Sequence, residues 1–234
     1  MSGTLYGLGV GPGDPELVTL KALRLLRACP VLAYPAPERG DSLARAIMAP
    51  HLPGGQIEIA IRMELSPARF PNPEIYDRAA GDIARHLDAG RDVAALCLGD
   101  PFFYGSFSYL FQRLAERHKV VVIPGVTSLA AASAALGIGL VVRDDVLAVI
   151  PATRPDADIR ARLAAVEAAA IIKLGQHFAR IRALLDEAGL SAHARYVEHA
   201  TMASERVVPL AEVDPARVPY FSLILLHRRG EAWR

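Results

Sequence analysis

The sequence has 234 residues, is 52% hydrophobic and 22% charged, and carries a formal net charge of +1. That length suits one large globular domain or two of roughly a hundred residues each. The near-neutral balance and the lack of a Lys/Arg-rich run exclude a nucleic-acid binder driven by bulk electrostatics, and leave an anionic ligand to local arginines.

In chain order, Leu5 to Val10 reads as a first strand, followed by a turn rich in glycine at Gly9, Gly11 and Gly13. Asp14 is placed to cap a helix with Pro15 at its first position, where a missing N–H costs nothing. Val18, Ala22, Leu25, Leu26 and Cys29 recur at helical spacing, and Pro30 stops the helix. Val31 to Tyr34 is a short second strand, ended by Pro35 and Pro37. Ser42 to Ala49 reads as a helix and Gln56 to Ile61 as a strand. Pro67, Pro71 and Pro73 mark a loop. Ile75 to Ala89 is a helix closed by Gly90, with Ile83 and Leu87 inward. Val93 to Leu98 is a continuous apolar run, as in a central parallel strand covered on both faces. A helix over Ser106 to Glu116 and a buried strand over Val120 to Ile123 follow.

From Val120 to Val142 no charged residue occurs, a length that raises the question of a membrane span. Pro124-Gly125 breaks the run, Thr127 and Ser128 open a helix, and Gly137 and Gly139 end it. A strand, a turn and a small-residue helix account for it. Leu147 to Ile150, Ala170 to Leu174, Arg195 to Val197, Arg206 to Leu210 and Tyr220 to Leu226 read as further strands. Helices over Asp156 to Val166 and His177 to Glu187 separate the first of them. The last three strands have little helix between them, so the second sheet is expected to be mixed. The expected class is α/β with two α/β domains, the first sheet mainly parallel. The expected domains are 1–124 and 125–234, with the junction inside 124–145.

Cys29 and Cys97 stand far apart, without a CxxC pair, and the seven histidines are scattered. Two buried thiols in a reducing cytoplasm and no metal site are expected. No basic segment followed by an apolar run opens the sequence, so no signal peptide is expected.

The chemistry gathers at turns. GVGPGDPE at Gly9 to Glu16 and LGDPFFYG at Leu98 to Gly105 each follow a strand and lead into a helix. In an open α/β sheet, ligands sit outside the carboxyl ends of strands, against bare backbone. A dinucleotide fingerprint fails, because the third glycine position falls on Pro12 and no acid ends the second strand. No GK[ST] exists for a P-loop. In the second turn Gly99 exposes backbone, Asp100 supplies an acceptor or a cap, and Phe102, Phe103 and Tyr104 bring three rings to one bend. A third turn, IPGVTS, presents Thr127 and Ser128 at a helix start with free N–H groups.

These three turns, in this order and spacing, resemble the tetrapyrrole (corrin/porphyrin) methyltransferase family over essentially the whole chain. The resemblance implies an S-adenosylmethionine enzyme releasing S-adenosylhomocysteine, with two α/β domains and the cofactor in the cleft between them. It implies cofactor contacts at Pro12, Leu98, Gly99, Asp100, Phe103, Thr127, Ser128, Leu174 in IKLG and Ala200 in VEHA. The strings YPAP, GDPFFYGSFSYL, PAT, VEHATM and PYFSLILL are most similar to the branch that methylates C20 of precorrin-2 in cobalamin synthesis. Members of that branch often carry Glu where Leu98 stands. Other branches tend to carry Asp after the second-strand Tyr, where this chain has Pro35.

A ring bearing eight carboxylates, the substrate class so implied, calls for cations. Arg39, Arg62, Arg143 and Lys173 are the candidates, with Tyr34 beside them; Asp100 and Tyr104 are the candidates for moving the C20 proton. The resemblance further implies a homodimer; a cytoplasmic location, with neither nucleic acid nor membrane as partner, is expected from the thiols, the charge balance and the turn signals. Sister readings are a cobalt-precorrin-2 methylase, a methylase of another ring position, or a protein methylase of the diphthine-synthase kind. A tetrapyrrole carrier that has kept the fold is the non-enzymatic reading, and failure to bind S-adenosylmethionine would mark it.

Overall fold

The computed structural model describes residues 2–63 and 72–228. They form two compact units divided between Thr127 and Ser128. Pro67 and Pro71 of the expected proline loop lie outside the described residues.

The first unit is built on β1 (Thr4–Gly9), β2 (Val31–Pro37), β3 (Ile57–Met63), β4 (Val93–Cys97) and β5 (Lys119–Ile123). All pairings are parallel, in the order β3-β2-β4-β1-β5. Helices cover both faces. On one, α1 (Leu20–Ala28) and α2 (Leu43–Met48) bury Ala22, Leu26, Ile47 and Met48 against Leu8, Leu32 and Leu96. On the other, α3 (Pro73–Asp88) and α4 (Phe107–Leu114) bury Ile83, Leu87 and Leu110 against Leu5, Ala33, Val93 and Ala95. Residues of β4 alternate between the two clusters, which is why Val93 to Cys97 reads as unbroken apolar sequence.

The second unit holds β6 (Leu147–Pro151), β7 (Ala168–Ile172), β8 (Ala194–Glu198), β9 (Arg206–Val208) and β10 (Ser222–His227), in the order β6-β7-β10-β8-β9. Only β6 and β7 pair in parallel; β10 runs antiparallel to both β7 and β8, and β9 antiparallel to β8. The short link from Glu198 to Arg206 has no room for a crossover helix, so the chain returns antiparallel. The helices are α5 (Ser128–Leu136), α6 (Asp156–Ala164) and α7 (Phe178–Glu187). Ile159 and Leu163 of α6 and Phe178, Ile181 and Leu185 of α7 close one core with Ile150, Ile171, Tyr196 and Ile224.

Three local expectations are corrected. Asp14 accepts from the Glu16 amide and caps a single 3-10 turn, Pro15–Leu17; α1 starts afresh at Leu20, with Thr19 Oγ1 accepting from the Ala22 amide. The second strand does not stop at Pro35. It pairs with β4 only over Val31 to Ala33 and beyond that with β3 alone, so one side of its backbone is left out of the ladder and proline is tolerated. The strand ending at Ile123 is an edge strand in which only Ile123 is buried. Its valines are half-covered, and apolar sequence alone does not distinguish an edge from a centre.

Ile83 has no solvent exposure and faces the sheet from α3. Ile83→Ala is expected to destabilise the protein by about 2–5 kcal/mol through the cavity it leaves. The measurement is the urea unfolding midpoint, which should fall clearly below that of the parent.

Candidate active site

Because β1 lies between β4 and β5, the turns that leave these three strands start side by side at the carboxyl edge of the first sheet. They are locked together through main chain. The Val10 amide donates to Cys97 O at 2.9 Å, and Gly11 and Gly99 exchange N–H···O bonds of 3.3 and 2.8 Å. The third turn closes against both. A Cβ on Gly125 would lie 2.1 Å from Gly99 O and 2.8 Å from Gly9 Cα, and one on Gly9 would lie 2.6 Å from Gly125 Cα. Only two glycines allow backbones to approach this closely.

Asp100 staples the assembly. Its Oδ1 accepts from the Phe102 and Phe103 amides at 2.9 and 3.0 Å, and its Oδ2 accepts from the Gly125 amide at 3.0 Å. One carboxylate thus shapes its own turn and ties it to the next, so Asp100 acts here first as a positioning group. Gly99 has φ 62, and the nearest atom to a Cβ there would be Val126 O at 3.8 Å. The site therefore presents uncovered main chain. Pro12 is buried within the first turn, and half-buried Leu98 packs on the α1–α2 core.

The three rings divide. Phe102 stacks edge-on to Phe111 with centroids 5.1 Å apart. Phe103 is half-buried and meets Tyr104 edge-on at 5.2 Å. Tyr104 is exposed and held at φ 57. Cys97 underlies this turn, and burial pushes its thiol up to about 11. Cys29 is pushed up to about 12 by the same cause. Both are free and buried, so neither offers a thiolate. Among the described residues no group of His, Cys, Asp and Glu could hold a metal ion.

Of the cation candidates, Arg62 lies at the same edge, donating to Pro37 O at 3.0 Å and Gly40 O at 3.3 Å and so closing the loop that carries exposed Arg39. Tyr34 is committed elsewhere. Its hydroxyl donates to Glu58 at 2.6 Å, and Arg45 grips the same carboxylate with two bonds of 2.7 Å. That grip lowers the Glu58 carboxyl to about 2.

Thr127 closes the third turn, and exposed Ser128 opens α5. In the second unit Lys173 and Leu174 follow β7, and Ala200 follows β8. The start of β10 runs between these two turns, with Leu223 opposite Ile172 and Ser222 opposite Glu198. Leu174 is fully buried and Ala200 nearly so. Lys173, His199 and Thr201 adopt φ 59, 50 and 68. Each costs a non-glycine residue about 1–2 kcal/mol, and such strain concentrates at functional sites. Arg143 is not brought to this edge. It sits in the Val142–Asp145 turn, whose Asp145 contacts His227 at 2.9 Å opposite Ala168, about 16 Å along β7 from Lys173.

Sequence reasoning missed Glu198. It is buried at the end of β8, accepts from the Tyr196 hydroxyl, and accepts from Arg206 at 2.8 Å. Burial, then the hydrogen bond to Glu198, raises the Tyr196 phenol above its ordinary value. An acid ending an apolar strand was the available signal; its partner emerges only from the β8–β9 register, which sets Arg206 opposite it. A separate groove of about 960 Å³ lies at the other end of β8, lined by Arg182, Asp186, Ala194, Arg195 and Val207.

Residues 4–214 match the model of the Tetrapyrrole (Corrin/Porphyrin) Methylases. The chain belongs to this family. It is 45% identical over 232 residues to the "Cobalamin biosynthesis protein CobIJ" of Mycobacterium bovis, covering 96% of this chain but 46% of that protein. The chain thus spans about half the length of such relatives. It is 40% identical over 232 residues to a Sinorhizobium precorrin-2 C(20)-methyltransferase, covering 96% of this chain and 95% of the relative. Among solved structures, the uroporphyrin-III C-methyl transferase of Thermus thermophilus complexed with S-adenyl homocysteine superposes with a TM-score of 0.71. It shares 28% identity, covering 98% of this chain and 94% of that one. Among the described residues no helix is long and apolar enough to cross a membrane.

Gly125→Ala forces a methyl group into the Gly99 carbonyl and should drive the turns apart. Titration calorimetry with S-adenosylhomocysteine is expected to show at least a tenfold loss of affinity (about 1.4 kcal/mol), with circular dichroism unchanged.

Proposed function

We propose that the protein is an S-adenosylmethionine-dependent methyltransferase that methylates C20 of precorrin-2 in cobalamin synthesis. The observation that carries this reading is the convergence of three bare-backbone turns at the ends of β1, β4 and β5. The C20 position is supported by the likeness to the Sinorhizobium enzyme along nearly the full length of both proteins.

The residues fit the donor. The uncovered Gly99 turn and the half-buried Phe103 ring offer main-chain polar groups and an aromatic wall, which suit a polar amino-acid part joined to a cationic sulfur. When bound, the sulfonium supplies the methyl group and loses its positive charge as it does so. We assign contacts with it to Pro12, Leu98, Gly99, Asp100, Phe103 and Thr127 of the first unit. The charge passes from sulfur to the methylated ring and leaves with the C20 proton, so the methyl transfer itself needs no strong base. The chain's contribution is to hold methyl and ring carbon in line, and such orientation is worth up to about 7–11 kcal/mol of barrier.

Asp100 contributes by holding the turn, since three amides already occupy its two oxygens. To Tyr104, exposed in the same turn, we assign the departure of the C20 proton to solvent. Arg62 and Arg39 meet carboxylates on the ring rim.

The test is incubation with 13C-methyl-labelled S-adenosylmethionine and enzymatically made precorrin-2, beside a cobalt-loaded sample of the same ring. The expected product carries one new methyl at C20 by NMR, and the faster arm identifies the natural form. A methyl at another carbon, or no transfer by a protein that binds the donor, would refute the C20 assignment.

A further inference from the structure

Beyond Ala33 the strand β2 parts from β4 and runs on beside β3 alone, as far as the Pro37–Met63 pair. At the usual rise per residue this carries its end roughly 13 Å past its last partner on β4. The bend that follows, Glu38 to Asp41, is exposed throughout. It is nevertheless closed at both ends. Buried Ser42 donates its hydroxyl to Pro35 O at 2.5 Å and accepts from the Arg45 amide at 3.2 Å, which starts α2. Arg62, opposite Ala36 on β3, sends a single nitrogen, Nη1, to Pro37 O at 3.0 Å and to Gly40 O at 3.3 Å. These two carbonyls bracket Glu38 and Arg39. Proline fixes φ at Pro35 and Pro37, and Gly40 takes φ 97, which glycine enters at least cost. Arg39 thus stands on a bend clasped by one guanidinium.

Glu38 and Asp41 lie close to Arg39 in the chain, so the bend by itself carries one net negative charge, which Arg62 offsets. On a loose loop Arg39 would pair with either acid in turn and offer a ligand no fixed charge. On a clasped bend all three side chains leave the backbone at set places. We propose that Arg62 is a positioning residue for Arg39, so that the two arginines meet the carboxylates of the acceptor ring as one coupled unit rather than as two independent charges. The carboxylate-rimmed acceptor rests on the methyltransferase reading; the clasp rests on the geometry. The stand-off also suits a rim. The reacting carbon must meet the donor, which is assigned to the turn after β4, whereas the ring's carboxylates lie outward from that carbon, and β2 has left β4 by four residues when the bend begins.

The experiment is a double-mutant cycle in the full chain, with Arg62→Gln, Arg39→Gln and the two combined. Gly40→Ala is added because it leaves every charge in place. Its new Cβ would meet only Pro37 Cγ, at 3.9 Å, so it acts through backbone strain alone. Three quantities are read: KM for precorrin-2, affinity for uroporphyrin III by titration of its Soret band, and S-adenosylhomocysteine affinity by calorimetry. Each arginine variant should raise precorrin-2 KM and uroporphyrin Kd about fivefold or more, and the combined variant should be no more than about twofold worse than the worse single one. Gly40→Ala should shift both quantities the same way and add nothing to Arg39→Gln. S-adenosylhomocysteine Kd should stay within about twofold of the parent throughout. Arginine effects that multiply in the combined variant would mean two independent contacts and overturn the proposal. Unchanged macrocycle affinity in Gly40→Ala, or a loss confined to S-adenosylhomocysteine, would overturn it as well. If the parent transfers no methyl to precorrin-2 yet uroporphyrin binding shows the coupling, the C20 reading fails and the clasp stands.

Discussion

The close packing of Gly9, Gly99 and Gly125 is the constraint on which the first unit's site depends. Three strands of a parallel sheet each end in a turn, and three turns would ordinarily keep side-chain distance from one another. Here the Gly99 carbonyl lies where a Gly125 Cβ would need to be, and Gly9 occupies the space beside it. The paired amides of Gly11 and Gly99 and the three bonds to Asp100 hold the contact. A tightly joined stretch of main chain results, polar in its atoms and without side-chain bulk at Gly9, Gly99 and Gly125. It provides orientation more than acid–base chemistry, and methyl transfer from a cationic donor needs orientation most.

The second unit reaches a comparable edge by different means. Its strands are mixed, so the start of antiparallel β10 is inserted between the ends of β7 and β8. Strained Lys173, His199 and Thr201 mark the turns. The ladder, the Phe221 carbonyl and the Glu198–Arg206–Tyr196 cluster hold them. Removing buried Glu198 or Tyr196 leaves its partner uncompensated, so the cluster fixes the local backbone.

Much of this was legible in the sequence because turn chemistry is local. Glycine, proline and aspartate at Gly9 to Asp14 and Leu98 to Asp100 declare strand-to-turn junctions without reference to the rest of the chain. The apolar run Val93 to Cys97 declares a strand covered on both faces. What depends on pairing was not legible. Pro35 stays within a strand because β4 pairs with β2 only as far as Ala33, a fact of sheet order. Arg143 and Lys173 looked alike as cations near strand ends, yet they belong to opposite ends of the second sheet. Glu198 gained its partner through the β8–β9 register, and Asp100 proved to link two turns separated by 25 residues.

The most direct test of the central claim is hydrogen–deuterium exchange with and without S-adenosylhomocysteine. If the three joined turns hold the donor, peptides covering 9–14, 98–105 and 124–128 should all slow their exchange together on addition of the ligand. Protection confined to the groove beside Ala194 and Val207, or slowing of one turn while the other two exchange as before, would contradict it.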